Sequence, residues 1–373
     1  MKKQVLISGA SIAGLTLAYW LNKSGYKVTV VEIANEPRLG GSPVDIRGIT
    51  LDVTKRMKLF EQIKSTRLNM EIVEFKNGKD ITEGSMLLKN VGAQLPDNDI
   101  EIERNILVNI LFKAVENAVE FIFDNSIAAL KETKDDVKVT FKNGLQRSFH
   151  LVFGCDGLHS GVRKLCFGKE TEHTHFLGQY FSITNVSKSL IKQNTGQLYN
   201  VPGKAIALYA YNNRTDIVFG FLSEKEIPYD YWNVEQQRKI ILEQFTAQGW
   251  RTAELLEEIM NEKTFYFDKL CQIKMPSWTK GRVALVGDAG YCASPASGMG
   301  ASLSIIGAAT LADALQKYNG NFELAFQDYN KDLRPFVEEI QATAIIGREY
   351  LVPRTEEAIK KRNSQKTFIT KTE

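Results

Sequence analysis

The chain has 373 residues, of which 43% are hydrophobic and 24% are charged. It is therefore long enough for two domains or one large domain with an insertion, and too apolar to be disordered throughout. The formal net charge of +3 gives no electrostatic reason to expect a nucleic-acid partner. The four cysteines do not have the spacing of a metal site, which predicts reduced thiols and a cytoplasmic protein.

The first 32 residues allow two interpretations. The run VLISGASIAGLTLAYWL follows a Met-Lys-Lys start, and a basic start before an apolar run is typical of a secretion signal. However, glycines and a serine separate a short apolar strand from residues at helical spacing, and a second strand follows at residues 27–32. We therefore favour a strand–turn–helix–strand unit. With this run assigned, no apolar run is long enough to cross a bilayer, and we expect no membrane partner.

The next part of the chain predicts alternating helices and strands. The pattern indicates a helix at residues 51–63, a hairpin at 71–81 that turns at Asn77-Gly78, and an amphipathic helix along 106–118. Strands are predicted at 120–123 and 137–141, and a second hairpin at Asn143-Gly144 leads into a strand at 151–153.

The pattern changes after residue 166. Alternating segments at residues 179–184, 196–199, 204–211 and 216–222 predict an antiparallel sheet, interrupted by one helix near 234–248. A buried strand at 282–286 then precedes a loop and a helix to about residue 315. The charged tail is predicted to be helical, and bent or broken at Pro335 and Pro353.

These elements predict an α/β fold with a discontinuous, Rossmann-like dinucleotide-binding domain at residues 1–70, 97–166 and 275–322. Its inserted domain, at residues 71–96 and 167–274, is a mostly antiparallel β-sheet that we expect to bind the substrate. Residues 323–373 form a C-terminal helical segment.

The first stretch with cofactor chemistry is Gly9-Ala-Ser-Ile-Ala-Gly14. It follows the G-x-G-x-x-G fingerprint, with Ser11 in place of the middle glycine. Gly9 permits a tight turn, Gly14 permits close helix–strand packing, and the helix N-terminus presents N–H groups to a pyrophosphate. Glu32 ends the next strand, where an acid can bind a ribose. An ordinary small-residue turn explains the motif equally well.

The second and third stretches are loops with charged residues. In residues 38–47, paired glycines permit close approach to a flat ligand, and Arg38, Asp45 and Arg47 supply charge. In residues 153–163, Asp156-Gly157 follows a strand directly, as in turns near ligands. The adjacent His159-Ser160 does not form a hydrolase motif. Each stretch also fits an ordinary loop.

The fourth stretch, residues 283–300, is a strand, a loop and a helix start. Asp288 follows the strand and can accept hydrogen bonds from ribose or ribityl hydroxyls. Gly298 and Gly300 leave backbone amides free near a helix start, where they can stabilise an electron-rich ring edge. An unremarkable strand–helix junction is the alternative.

In their order along the chain, these motifs resemble the group A flavin-dependent monooxygenases, the para-hydroxybenzoate hydroxylase-like family, over residues 1–320. The Gly-Gly-Ser-Pro-Val-Asp-Ile-Arg-Gly and Gly-Asp-Ala-Gly-Tyr stretches are similar to its tetracycline-inactivating branch. The resemblance implies FAD as cofactor and NADPH, or NADH, as co-substrate. The residues that it implies for cofactor binding are Gly9, Ser11, Gly14, Glu32, Arg38, Asp45, Arg104, Asp156, Asp288, Gly298 and Gly300.

The resemblance also implies a reaction. NADPH reduces FAD, and the reduced flavin uses O₂ to hydroxylate an electron-rich aromatic or enol-containing small molecule, including tetracycline-like polyketides. The sequence identifies no catalytic side chain. The chain departs from the family pattern at Ser11, at Gly290-Tyr291, at Met299 and at Ser302. We expect a monomer.

Two other functions remain open at this point. An NAD-dependent dehydrogenase would explain the first motif but not the fourth, and it would purify colourless. A flavin-bearing protein that sequesters an aromatic ligand would be yellow but would show no ligand-stimulated O₂ consumption. His173 and His175 lie two residues apart without a third ligand, so we predict no metal site.

Overall fold

The computed structural model describes residues 3–37, 40–88 and 99–364. In chain order the strands are β1 (Gln4–Ser8), β2 (Lys27–Val31), β3 (Val44–Arg47), β4 (Ile72–Lys76), β5 (Thr82–Leu87), β6 (Asp99–Ile102), β7 (Glu120–Ile122), β8 (Ile127–Glu132), β9 (Val137–Phe141), β10 (Gln146–Phe149), β11 (Leu151–Gly154), β12 (Thr174–Val186), β13 (Thr195–Val201), β14 (Lys204–Tyr211), β15 (Arg214–Leu222), β16 (Phe265–Ile273), β17 (Thr279–Lys280) and β18 (Val283–Leu285). The helices are α1 (Ile12–Lys23), α2 (Ile49–Arg56), α3 (Phe60–Ser65), α4 (Arg104–Lys113), α5 (Gly161–Phe167), α6 (Val234–Phe245), α7 (Thr252–Asn261), α8 (Asp288–Tyr291), α9 (Gly300–Lys317), α10 (Phe322–Leu351) and α11 (Glu356–Asn363).

The first sheet confirms the predicted α/β fold class. Its six strands have the order β17-β18-β11-β1-β2-β7, and all neighbours are parallel except β17 and β18. Val5, Leu6 and Ile7 of β1 are fully buried at its centre, as expected for a parallel sheet covered on both faces. The predicted unit of β1, α1 and β2 is present, which supports the domain interpretation of the N-terminal apolar run.

The second sheet is the predicted antiparallel one, which we call the large sheet. Its seven strands have the order β16-β12-β15-β14-β13-β4-β5, and β13 and β4 form its parallel pair. One face packs apolar side chains such as Tyr180, Ile206 and Phe219 against α6 and α7. The alternating residues, including Leu198, Ala205 and Ala207, form the opposite face, which packs with Val352 at the end of α10.

Two smaller sheets complete the described strands. The strands β10, β9 and β8 form an antiparallel sheet, and β3 pairs with β6 in a two-stranded antiparallel ribbon. The domain boundaries given above stay a prediction. Within the described residues, no helix is both long enough and apolar enough to cross a bilayer.

Two local predictions were wrong, and a third is confirmed at one of its two positions. The helix predicted at residues 51–63 is two helices, α2 and α3, because the chain turns at Lys58, whose φ is 60°. The inserted segment contains a second helix, α7, whose Leu255, Leu256 and Ile259 are buried. The tail was predicted to bend or break at Pro335 and Pro353: α10 continues through Pro335 without a break and ends before Pro353.

Candidate flavin site

Three of the predicted motifs meet at one edge of the first sheet. The strands β1, β11 and β18 are adjacent and parallel, with Ser8 opposite Gly154 and Gly154 opposite Leu285. Their carboxyl ends therefore lie side by side, where open α/β sheets bind ligands. The turns that begin at Gly9, Asp156 and Asp288 all follow these ends.

The turn after β1 depends on glycine. Gly9 has a φ of +105°, and a Cβ added to it would lie 2.5 Å from the carbonyl oxygen of Cys155. A Cβ on Gly14 would lie 1.9 Å from the carbonyl oxygen of Gly9. Neither position accepts a larger residue without a backbone shift, because the turn, β11 and α1 are in close contact.

Ser11 and Arg104 lie together at the N-terminus of α1. Ser11 is the N-cap residue, and its Oγ accepts a hydrogen bond from Nη2 of Arg104 at 2.7 Å. Nη1 of the same guanidinium donates to the carbonyl oxygen of Gly40 at 3.1 Å. A cation beside a helix N-terminus is suited to a pyrophosphate. The serine at the middle position of the fingerprint is thus part of this site.

Glu32 is oriented by the same turn. It follows β2, and its Oε2 accepts a hydrogen bond from the backbone N–H of Ala10 at 2.7 Å. Its Oε1 accepts from the N–H of Ala34 at 3.1 Å. The two bonds hold the carboxylate at the strand end where a ribose is expected.

Asp156 organises the turn after β11. Its Oδ1 accepts from Oγ of Ser160 at 2.5 Å, and its Oδ2 accepts from the N–H of Val162 at 3.1 Å. Burial raises the pKa of Asp156, and these hydrogen bonds oppose the shift. In this geometry both oxygens fix the start of α5. The contact of Asp156 with FAD and NADPH stays a prediction.

Asp288 begins the short helix α8. Burial raises the pKa of its carboxyl, while a hydrogen bond with Cys292 and the charges of Arg104 and Arg163 lower it. The Arg163 guanidinium is fully buried and donates to the carbonyl oxygen of Ala289 at 2.8 Å. A half-buried carboxylate near two arginines fits a ligand that brings hydroxyl donors, as a ribityl chain does.

The loop after α8 is shaped by its backbone. Ser294 has a φ of 80° and Gly298 a φ of 67°, both in the left-handed region. Among the described residues, no atom lies within 4 Å of a Cβ built on Gly300, so the start of α9 borders open space. We call residues 294–300 the flavin loop. Gly347 of α10 packs against it, because a Cβ there would lie 1.9 Å from the carbonyl oxygen of Ala296.

Asp45 lies on the ribbon beside this loop. A Cβ on Gly298 would lie 3.5 Å from Oδ2 of Asp45, and the Asp45 carbonyl accepts from Oγ of Ser302 at 3.1 Å. Arg47 contacts Asp45 at 3.2 Å and Asp99 at 2.7 Å. Burial raises the pKa of Asp45 to about 6, and Arg47 opposes that shift.

The sequence did not predict a polar network where the large sheet meets the ribbon and α4. Asp216 is fully buried and accepts hydrogen bonds from Tyr211 and Asn185, both at 2.6 Å. Arg214 joins Asp216 at 3.2 Å to Glu103 at 3.0 Å. An acid within an alternating apolar strand was the available signal, because such a residue needs partners when buried.

The structure also places the remaining candidates. Arg38 lies outside the described residues. His173 hydrogen-bonds through Nε2 to the carbonyl oxygen of Phe167 at 3.0 Å, and His175 is exposed on β12. Across residues 3–37, 40–88 and 99–364, no group of three or more His, Cys, Asp or Glu side chains could hold a metal ion.

Comparison with known proteins identifies the family. The model of the FAD binding domain family matches residues 2–343. The chain belongs to this family of FAD-dependent monooxygenases. It is 35% identical over 369 residues to a flavin-dependent monooxygenase from an unknown prokaryotic organism, covering 97% of this chain and 94% of that protein. It is 37% identical over 347 residues to an uncharacterised protein of Mycobacterium tuberculosis (strain ATCC 25618 / H37Rv), and this match covers 91% of this chain and 92% of that protein.

A solved structure with a similar fold supports the family assignment. The crystal structure of the tetracycline destructase Tet(51) has a TM-score of 0.87 and 34% sequence identity, covering 97% of this chain and 95% of that one. The predicted resemblance and the FAD cofactor are thereby confirmed. A dehydrogenase that uses NAD alone is set aside, because the family match includes the motif at Asp288 that this alternative left unexplained. The contact of each individual residue with FAD stays a prediction.

Proposed function

We propose that this FAD-dependent monooxygenase uses NADPH and O₂ to insert one oxygen atom into an electron-rich carbon of a polycyclic phenol or enol of the tetracycline class. The observation that carries the proposal is the likeness to Tet(51), which covers 97% of this chain and so includes both the flavin site and the large sheet. Such a reaction would inactivate an antibiotic.

The proposed substrate site is the space between the flavin loop and the large sheet. The backbone N–H of Gly41 donates to Oδ1 of Asn185 at 3.4 Å, so the loop before the ribbon contacts β12. Apolar Ala205, Ala207 and Val218 lie on the same sheet face. An apolar wall with polar groups at one edge suits a polycyclic ligand with hydroxyl groups.

The residues around this space have separate tasks in the proposal. Gly9, Gly14 and the N-terminus of α1 would hold the pyrophosphate, together with Arg104. Asp288 would orient the ribityl chain, and the flavin loop would border the ring. When bound, FAD supplies the redox chemistry and the activation of O₂. The protein orients the substrate and excludes water.

The test uses protein reconstituted with FAD and supplied with NADPH, tetracycline and isotopically labelled O₂. We expect tetracycline to stimulate NADPH oxidation and a product that carries one labelled oxygen atom. A parallel assay with NADH measures coenzyme preference. If tetracycline binds but neither effect occurs, the sequestering alternative is favoured. If tetracycline has no effect and does not bind, the proposal is wrong.

We further propose that the enzyme is a cytoplasmic monomer. Its four cysteines are unpaired thiols, as expected in a reducing compartment. Light scattering should give a mass near the chain mass of 42.0 kDa. Twice that mass would contradict the monomer.

A further inference from the structure

We propose that Glu101 is the catalytic base that accepts the proton of the substrate's acidic hydroxyl. The inference rests on the proposed function and names a residue for a task that the sequence left unassigned. It also narrows the substrate to molecules whose phenol or enol loses a proton near neutral pH.

The ribbon fixes the direction in which Glu101 points. Asp45 on β3 is directly opposite Glu101 on β6, so the two side chains lie on the same face. The alternating residues Ile46, Ile100 and Ile102 are fully buried in the hydrophobic core that covers the first sheet. Because side chains alternate along a strand, the two carboxyls face away from that core.

On this face, Glu101 lies between the flavin loop and the large sheet. Its neighbour Asp45 borders Gly298 of the flavin loop. From the opposite side, Tyr209 of β14 and Asp216 of β15 are close enough to interact electrostatically with Glu101. A substrate held between the large sheet and the flavin loop would therefore lie beside this carboxyl.

The carboxyl of Glu101 can accept a proton or a hydrogen bond from a substrate, whereas the nearby Asp216 is already occupied by protein donors. Asp216 accepts from Tyr211, Asn185 and Arg214, whereas in the described part of the chain no side chain hydrogen-bonds to the carboxyl of Glu101. Burial and, to a smaller extent, the adjacent Asp45 raise the pKa of Glu101 to about 7, and Arg47 opposes the shift. The charged or titratable groups that face it are Asp45 and Arg47 of β3, Asp99 of β6, Asp216 of β15 and Tyr209 of β14.

The proton step is balanced without a further reactant. The O–H bond of the phenol or enol breaks, its electron pair stays on the substrate oxygen, and an O–H bond forms on Glu101. The resulting phenolate or enolate has more electron density at the adjacent carbon, which favours attack on an electrophilic oxygen. A base with a pKa near the working pH is best suited to this transfer.

The principal test is Glu101→Gln, which keeps the shape of the side chain but cannot accept the proton. We expect kcat for tetracycline oxidation at neutral pH to fall about 100-fold, within the usual range for loss of a general base. FAD content should not change. The rate of the variant should recover as the pH rises and the substrate ionises in solution.

A second readout does not depend on turnover. Tetracycline absorbs differently when its enol and phenol groups are ionised, so its spectrum can be recorded bound to the oxidised protein without NADPH. We expect the ionised form on the wild type at neutral pH and the neutral form on Glu101→Gln. Glu83→Gln, on the exposed hairpin strand β5, is the matched control and should behave as the wild type.

The outcomes separate the inference from the proposed function. If the wild type oxidises tetracycline and Glu101→Gln has the same pH profile and bound spectrum, Glu101 is not the base, although the function stands. If the wild type neither binds nor oxidises tetracycline, both are wrong. If Glu101→Gln does not fold, the variant Glu101→Asp is used instead. Its shorter carboxylate should lower kcat at least about tenfold with little change in KM. A kcat equal to that of the wild type would exclude Glu101 as the base.

Discussion

At the scale of single residues, Asp288 supports the proposed flavin site. The Asp288 carboxylate is half-buried and so needs donors, and within the described residues Cys292 supplies a weak one. Arg104 and Arg163 favour its charged form from a distance. In the proposed function, the hydroxyl groups of the flavin's ribityl chain would supply the missing donors.

Replacement of Asp288 by alanine should therefore leave the protein folded but weaken FAD binding. Hydrogen bonds to charged groups contribute about 1.5–3 kcal/mol, so the expected loss is about 10- to 100-fold in Kd. Flavin absorbance after desalting, followed by titration with FAD, measures the change. Asp313→Ala removes a surface carboxylate that pairs with Arg56 and should retain FAD. Stoichiometric FAD in the Asp288 variant would show that Asp288 is not needed for FAD binding.

At the scale of elements, α10 supports the flavin loop. Gln272 of β16 donates to the carbonyl oxygens of Ala293 at 3.3 Å and Gln341 at 2.6 Å. Gln341 donates in turn to the carbonyl oxygens of Ile273 at 2.9 Å and Cys292 at 3.2 Å. These buried bonds join the helix, the large sheet and the segment before the loop. One turn or two further along, Gly347 allows direct contact with Ala296.

The substitution Gly347→Ala tests this contact. In a helix without tertiary contacts, alanine is more favourable than glycine by about 1 kcal/mol. Here the new Cβ would overlap Ala296, so we expect a destabilisation of about 1–3 kcal/mol and weaker FAD retention. Urea unfolding with and without FAD measures both. Ile346→Ala, at an adjacent position that is 74% exposed, is the control. Increased stability of the Gly347 variant would contradict the packing.

The elements also show what the sequence could predict. The sequence pattern located β14 and β15 correctly, although both strands are buried almost continuously and not on one face alone. The helix α10 is not interrupted at Pro335, where a bend or a break was predicted. Loss of one N–H and a steric clash cost about 3 kcal/mol, and the packing of α10 on α9 and the flavin loop compensates for it. Contacts between distant segments, such as Asp45 with Gly298, leave no periodic signal.

At the scale of the whole molecule, His159 connects the two sheets. It follows the Asp156 turn, and its Nε2 lies 3.1 Å from Oδ2 of Asp268 on β16. Its Nδ1 lies 3.0 Å from Oε1 of Glu170. Burial opposes the charge of His159, but these two carboxylates raise its pKa to about 9. Asp268 also accepts from Tyr229 and Tyr266, both at 2.8 Å, so the imidazolium completes a buried network.

This arrangement makes the stability of the enzyme depend on pH. The pKa of His159 rises from about 6.5 in the unfolded chain to about 9 in the folded one, so between these values the folded state binds more protons. The stabilisation, of order 3 kcal/mol at most, is complete below pH 6.5 and is lost as the pH rises through 9. Glu170, whose pKa is lowered to about 2, stays ionised throughout this window.

We therefore expect His159→Gln to lower the free energy of urea unfolding at pH 6.5. The difference in unfolding free energy between this variant and the wild type should shrink by pH 9.5. His175→Gln, at an exposed position on β12, should lack this dependence. A difference for His159→Gln that stays constant with pH would mean that the charge of His159 does not hold the two sheets together.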